Sequence, residues 1–183
     1  MIIIVASPSA SGKTTLVNSA IEQFKLYRLV TTTTRKQRPE ETGSEYHFVT
    51  VDQFNQMKDS GEFIEFNEVY GNLYGLTRSE VDAHTNEICI SIQDVGGVKT
   101  MKSLYGDQVK TIFIMPPSVD ALKDRLANRM IGDDDENARR LAAIEREVAE
   151  AHWFDYRIYP GELNESIAAF NTVISKIICP VFH

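Results

Sequence analysis

A chain of 183 residues, 43% hydrophobic and 9% aromatic, has the length and apolar content of one globular domain. Its formal net charge of −7 argues against broad nucleic-acid or anionic-membrane surfaces, while leaving room for a local cationic pocket. The opening apolar run is short and lacks a basic flank, and nothing approaches ~18 apolar residues in a row, so neither a signal peptide nor a membrane span is expected and a cytoplasmic location is.

Met1-Ile2-Ile3-Ile4-Val5-Ala6 is a continuous β-branched run, the pattern of a parallel strand buried on both faces. Ser7-Pro8-Ser9-Ala10-Ser11-Gly12-Lys13-Thr14 follows it and leads into helical spacing over residues 12–24. Strand, tight loop and helix form the setting of a phosphate-binding loop, whose inward N–H groups and helix N-terminus cradle phosphate oxygens. Ser9, Ala10, Ser11, Gly12, Lys13, Thr14 and Thr15 are therefore the candidate ATP-binding residues. Lys13 would reach the outer phosphates and the Thr14 hydroxyl would ligate Mg²⁺. Ser7 stands where the usual Gly-x-x-x-x-Gly-Lys-Ser/Thr pattern has its first Gly. Ala10 replaces a loop Gly, which matters only if that residue needs a positive φ.

A second strand is expected over 27–30, ending in Thr31-Thr32-Thr33-Thr34. Residues 35–43 read as a loop, basic first and acidic later, with Pro39 and Gly43 as breakers. A short strand over 46–49 precedes a helix over 51–60, stopped by Gly61. Strands over 63–66 and 72–75 flank a turn at Tyr70-Gly71 and suggest a small separate sheet. A helix over 77–83 has Thr77 as its N-cap. Further strands are expected over 88–92, 109–115 and 156–159, with helices over 98–104, from Ser118, one opened by the acidic run Asp133-Asp134-Asp135-Glu136 and continued over 139–151, and one over 163–178. Cys89 and Cys179 sit in apolar runs without metal-ligand spacing and read as buried free thiols in a reducing compartment. Strands alternating with helices predict an α/β fold, a parallel sheet flanked by helices, with the segment 31–80 interrupting the rhythm as an inserted lobe.

Several segments together carry a family resemblance: the loop 7–15, Thr31-Thr-Thr-Thr-Arg35-x-x-Arg38-Pro39, Gly43-x-x-Tyr46-His47-Phe48-Val49, Gly61-Glu62-Phe63-Ile64-Glu65-Phe66, Gly71-Asn72-Leu73-Tyr74-Gly75, Gly97-Val98-Lys99, Pro116-Pro117-Ser118 and Arg125-Leu126-x-x-Arg129. The chain resembles the guanylate kinases, P-loop nucleoside monophosphate kinases, over nearly its whole length. The resemblance implies one domain over 1–183, with a P-loop NTPase core at 1–30, 88–124 and 154–183, a monophosphate-binding lobe at about 31–87 and a helical lid at about 125–153. It implies transfer of the ATP γ-phosphoryl group to GMP or dGMP with Mg²⁺, small-molecule nucleotides as partners, and no nucleic acid, membrane or obligate protein partner.

By the same resemblance, Arg35 and Arg38 grip the monophosphate with the hydroxyls of Tyr46 and Tyr74, and Arg129 and Arg140 close on the ATP phosphates. Lys13, Arg35, Arg129 and Arg140 are thus the expected catalytic cations, while Arg125 and Arg139 read as a solvated helix face. Glu65 accepts from guanine N1–H and N2–H, Asp94 supports it, and the Thr31 hydroxyl donates to O6. Leu76 stands where the family has a second hydroxyl for O6, which would cost about 1–3 kcal/mol if O6 were buried beside it. Ile92 stands where the family has the first Asp of Asp-x-Asp-x-x-Gly, leaving Asp94 as the remaining metal-side carboxylate. Pro160 stands near an Asn used close to adenine, and one residue is missing between Glu41 and Gly43. The alternatives are a monophosphate kinase of shifted or relaxed base specificity and, in another class, an inactive guanylate-kinase-like module that binds a phosphopeptide or nucleotide.

Overall fold

The computed structural model describes residues 1–8, 12–39, 41, 43–116, 142 and 144–179. The elements run β1 (Ile2–Ala6), α1 (Lys13–Phe24), β2 (Tyr27–Arg28), β3 (Thr31–Thr33), β4 (Tyr46–Phe48), α2 (Val51–Asp59), β5 (Phe63–Val69), β6 (Asn72–Thr77), α3 (Arg78–Ala83), β7 (Cys89–Ile92), α4 (Val95–Tyr105), β8 (Val109–Ile114), β9 (Tyr156–Ile158) and α5 (Leu163–Ile178). Residues 144–149 are helical. The expected helix from Ser118 and the acidic run at 133–136 lie outside the described residues.

The main sheet has the order β2-β7-β1-β8-β9, and every pairing is parallel. Strand β1 sits at its centre and is buried at every position. Its side chains alternate. Ile3 and Val5 pack with Leu16, Val17 and Ala20 of α1 and Phe170 and Ile174 of α5, while Ile2, Ile4 and Ala6 pack with Val98 and Met101 of α4, Phe113 and Phe154. A strand covered on both faces needs no polar alternation, which is why its sequence reads as an unbroken apolar run. Each fully buried Ile or Phe contributes about 1.5–3 kcal/mol.

The strand expected over 27–30 divides. Leu29 still donates its N–H to Ile90 O (2.9 Å), but the Val30 N–H leaves for the Glu80 side chain (2.9 Å), and the chain crosses to a second sheet. That sheet has the order β4-β3-β6-β5, parallel between β3 and β4 and antiparallel elsewhere. Thr31–Thr33 of the threonine run form β3, one of its two inner strands. Thr33 Oγ1 donates to Leu73 O (2.9 Å), and Thr34 Oγ1 accepts from the Leu73 N–H (2.9 Å). The β5–β6 turn has positive φ at both Tyr70 (51°) and Gly71 (75°), the geometry of a two-residue hairpin loop.

Two expectations change here. Helix α4 begins at Val95, three residues earlier than the apolar spacing suggested, because the Asp94 carboxylate caps it and accepts from the Gly96 and Gly97 N–H groups. Cys89 is buried as expected, but Cys179 is exposed, since α5 ends one residue before it.

The second sheet is closed tightly at Gly75, where a Cβ would lie 2.7 Å from Phe63 Cδ1, and Phe63 is itself stacked on Phe54. Gly75→Ala should therefore destabilise the fold by about 1–3 kcal/mol in urea unfolding. An unchanged midpoint would show that the ring yields freely.

Candidate active site

A cavity of about 690 Å³ separates the carboxyl end of the parallel sheet from the second sheet. Ligands in open α/β folds bind at this end of the strands. The wall on the parallel-sheet side comes from the ends of β1 and β7, and Lys13 joins it from α1. Opposite stand Thr31, Arg35, Arg38, Tyr46, Glu65 and Tyr74. Asp94 and Glu147 complete the lining. Of the residues singled out in the sequence, these nine except Glu147 are thus brought to one cavity. Gly12 is the left-handed N-cap of α1 (φ 85°), and Thr14 and Thr15 are exposed on its first turn. Ser9, Ala10, Ser11, Arg125, Arg129, Arg139 and Arg140 lie outside the described residues.

Lys13 is held by the loop it belongs to. Its Nζ donates to Ser7 O (2.7 Å), Ser7 Oγ (2.8 Å) and Pro8 O (3.4 Å). Ser7 has no positive φ, so the missing first glycine imposes no backbone strain, and its hydroxyl instead anchors the lysine.

Across the cavity, Arg35 presents its guanidinium fork to Glu41, with Nη2–Oε1 at 2.6 Å and Nη1–Oε2 at 3.1 Å. A bidentate carboxylate occupies the geometry a phosphate would take. Burial pushes the Glu41 carboxyl up, but the Arg35 bonds and the Arg38 N–H outweigh it and hold the group below the usual carboxylate range. Arg35 also stacks over Tyr46, its guanidinium carbon 5.3 Å from the ring centroid, and Tyr46 meets Tyr74 edge-on at 6.1 Å. Burial raises the Tyr46 phenol, which stays a hydrogen-bond donor at neutral pH.

Glu65 is the most perturbed carboxyl of the site. It is 6% exposed, and burial, then the charge of Asp94, push its pKa up to about 8, while the Leu76 N–H and the Asn67 amide (3.2 Å to Oε2) pull it back. It lies against Gly97, where a Cβ would come within 2.8 Å of Oε2. Position 97 must be glycine for the carboxyl to sit there.

The Leu76 side chain is turned away from the cavity. It is fully buried in the core beside Leu29, Val81 and Met101 and does not line the cavity. The absent hydroxyl is therefore replaced by core packing, and what Leu76 offers the site is its main-chain N–H.

Glu147 was not foreseen. It projects from the helical segment 144–149 and accepts from the Tyr70 hydroxyl at 3.4 Å. Burial pushes its carboxyl up to about 7, with Lys13 opposing and Asp94 reinforcing the shift. A sequence signal existed. Glu147 lies three residues after Ile144 and four before Ala151, both buried, so it occupies the inward face of an otherwise apolar stripe.

The profile described as guanylate kinase matches residues 1–177. The chain belongs to the guanylate kinase family. A guanylate kinase of Geobacter metallireducens is 36% identical over 185 residues, spanning 98% of this chain and 90% of the relative. One of Ralstonia nicotianae is 40% identical over 177 residues, spanning 93% and 78%. Among solved structures, guanylate kinase from Anaplasma phagocytophilum superposes with a TM-score of 0.76 at 26% identity, covering 95% of this chain and 84% of that one. Shikimate kinase from Bacteroides thetaiotaomicron shares the fold alone, with a TM-score of 0.52 at 16% identity over 97% and 98% of the two chains. No described helix of this guanylate kinase family member is long and apolar enough to cross a membrane.

The Glu65 shift sets the pH dependence of stability. Unfolded, the carboxyl ionises near its ordinary value of 4.5, and folded near 8. A raised folded pKa contributes stability below about 4.5 that is lost as pH rises towards 8. Glu65→Gln should therefore unfold at a higher temperature than the parent protein at pH 8, and the gap should shrink as pH falls to 5, at a slope of at most about 1.4 kcal/mol per pH unit. A gap independent of pH, read by thermal denaturation, would contradict the assignment.

Proposed function

We propose that the chain transfers the γ-phosphoryl group of ATP to GMP, forming ADP and GDP, and that dGMP is accepted in the same pocket. The observation that carries this is that one cavity is lined by a buried carboxyl, Glu65, together with the cationic and phenolic cluster of Arg35, Arg38, Tyr46 and Tyr74. Guanine offers two adjacent donors, N1–H and N2–H, and the Glu65 carboxylate accepts both. The monophosphate then falls to Arg35, Arg38, Tyr46 and Tyr74, with Arg35 exchanging the Glu41 carboxylate for phosphate oxygens. Lys13 faces them from the phosphate-loop side, where it would neutralise charge on the transferring group. Such transfer depends on alignment, charge neutralisation and exclusion of water more than on covalent chemistry.

Mg²⁺ prefers hard oxygen donors, and the Thr14 hydroxyl with the Asp94 carboxylate fits that preference. Among the described residues no three acidic, histidine or cysteine side chains cluster tightly enough to hold a cation alone. Thr14 and Asp94 would hold Mg²⁺ jointly with nucleotide phosphates, and the ion would supply neutralisation of the phosphate charge. Ser9 to Thr15 would cradle ATP, and Arg129 and Arg140 would close over it from a lid at about 125–153. Residues 31–87 would form the acceptor lobe on a core of 1–30, 88–124 and 154–183. A cytoplasmic enzyme with nucleotides as its partners follows from the same reading.

An ADP-release assay over GMP, dGMP, AMP, CMP and UMP tests the proposal. GMP should lead by a wide margin. Equal rates with AMP would refute guanine selectivity, and no turnover with any acceptor would refute the activity. Lys13→Ala should lower kcat by roughly 10²–10³-fold while GMP binding is kept, as expected for a group acting on the transition state.

A further inference from the structure

Gln93 follows the last residue of β7 and is 7% exposed. Its main-chain N–H is committed to the sheet, donating to Val5 O at 3.2 Å. Its side chain enters the corner that holds Glu65. Oε1 lies 3.1 Å from the point where a Cβ on Gly97 would sit, and Glu65 Oε2 lies 2.8 Å from the same point. Carboxamide and carboxyl thus share one niche over the glycine, and both residues line the cavity.

Neither Gln93 Nε2 nor Oε1 has a hydrogen-bond partner among the described residues. A buried, unpaired carboxamide destabilises the empty protein, whereas an apolar side chain of similar shape would not. A polar group in a binding site is left in this state when its partner arrives with the ligand.

The chemistry of the niche selects that partner. Guanine presents, in order, an acceptor at O6 and donors at N1 and N2. A carboxamide N–H beside a carboxylate presents one donor and two acceptors, the complementary sequence. Adenine presents a donor at N6 and an acceptor at N1, which would set N–H against N–H and a lone pair against the carboxylate. Leu76, being aliphatic, supplies no side-chain donor, and it is buried in the core.

We propose that Gln93 is a base-specificity residue that donates from Nε2 to guanine O6 while Glu65 accepts from N1–H and N2–H. This rests on GMP being the acceptor. Thr31, which also lines the cavity, is then a second contact to the base and not the sole donor.

The test is a residue-by-ligand-atom cycle in the full chain. Gln93→Met keeps the volume and removes both polar atoms. The ligands are GMP and 6-thio-GMP, which retains both donors and replaces O6 by a weak sulfur acceptor. Dissociation constants are measured by calorimetry, so binding is read independently of turnover. Gln93→Met should weaken GMP about 10- to 100-fold. It should weaken 6-thio-GMP far less, so that the preference for GMP collapses. Its ligand-free melting temperature should equal or exceed that of the parent, because an unsatisfied group has been removed. Equal loss on both ligands, unchanged GMP binding, or a lowered melting temperature with parallel loss of both ligands would overturn the role. GMP that binds with the expected cycle but is never phosphorylated would refute the kinase activity and leave Gln93 standing. Turnover of GMP with no change in the cycle would do the reverse.

Discussion

An ionisable carboxyl buried where two sheets meet is the constraint on which this molecule is organised. Glu65 reaches from β5 towards the N-terminus of α4 and is almost fully covered. It remains there because Gly97 leaves room for it, Asn67 and the Leu76 N–H bond it, and its proton is retained near neutrality. The carboxylate form is disfavoured until a ligand brings donors of its own. In the proposed role of Glu65, burial that destabilises the empty site would become selectivity, since a base without paired donors cannot offset the desolvation.

The same logic recurs around the cavity. Arg35 is neutralised by Glu41, the Lys13 ammonium donates to oxygens of Ser7 and Pro8, and Asp94 spends Oδ1 on the first turn of α4. Arg35, Lys13 and Asp94 are thus each held by internal hydrogen-bond partners. On the proposed function, ligand binding would be an exchange of hydrogen bonds in a preorganised site, which limits the entropy lost on association. The parallel sheet fixes one wall, the mixed sheet the other, and the threonine strand with its ties to Leu73 connects the cation loop rigidly to that second wall.

Much of this was legible in the sequence because it is local. The apolar run of β1 declares a doubly covered strand, Ser7 to Thr14 declares a phosphate loop, and Thr77 declares a cap. Lys13, Arg35, Arg38, Tyr46, Glu65, Tyr74 and Asp94 all converge on one cavity. The failures are tertiary. Nothing in the spacing tells which way Leu76 points, because a β-strand has two faces and burial on either reads as the same residue type. The start of α4 at Val95 is hidden in the apolar spacing until Asp94 is seen to cap it. Glu147 and Gln93 become functional candidates only when the helical segment 144–149 and the end of β7 are brought against Lys13 and Glu65.

The most direct test follows the proton on Glu65. Carbon-13 NMR of the glutamate side-chain carboxyls, with Glu65 assigned by its absence in Glu65→Gln, gives its titration with and without GMP. The account predicts a midpoint near 8 in the free protein and a shift to well below neutrality when GMP saturates the site. A free-state midpoint at the ordinary value of 4.5, or a midpoint that GMP leaves in place, would contradict it.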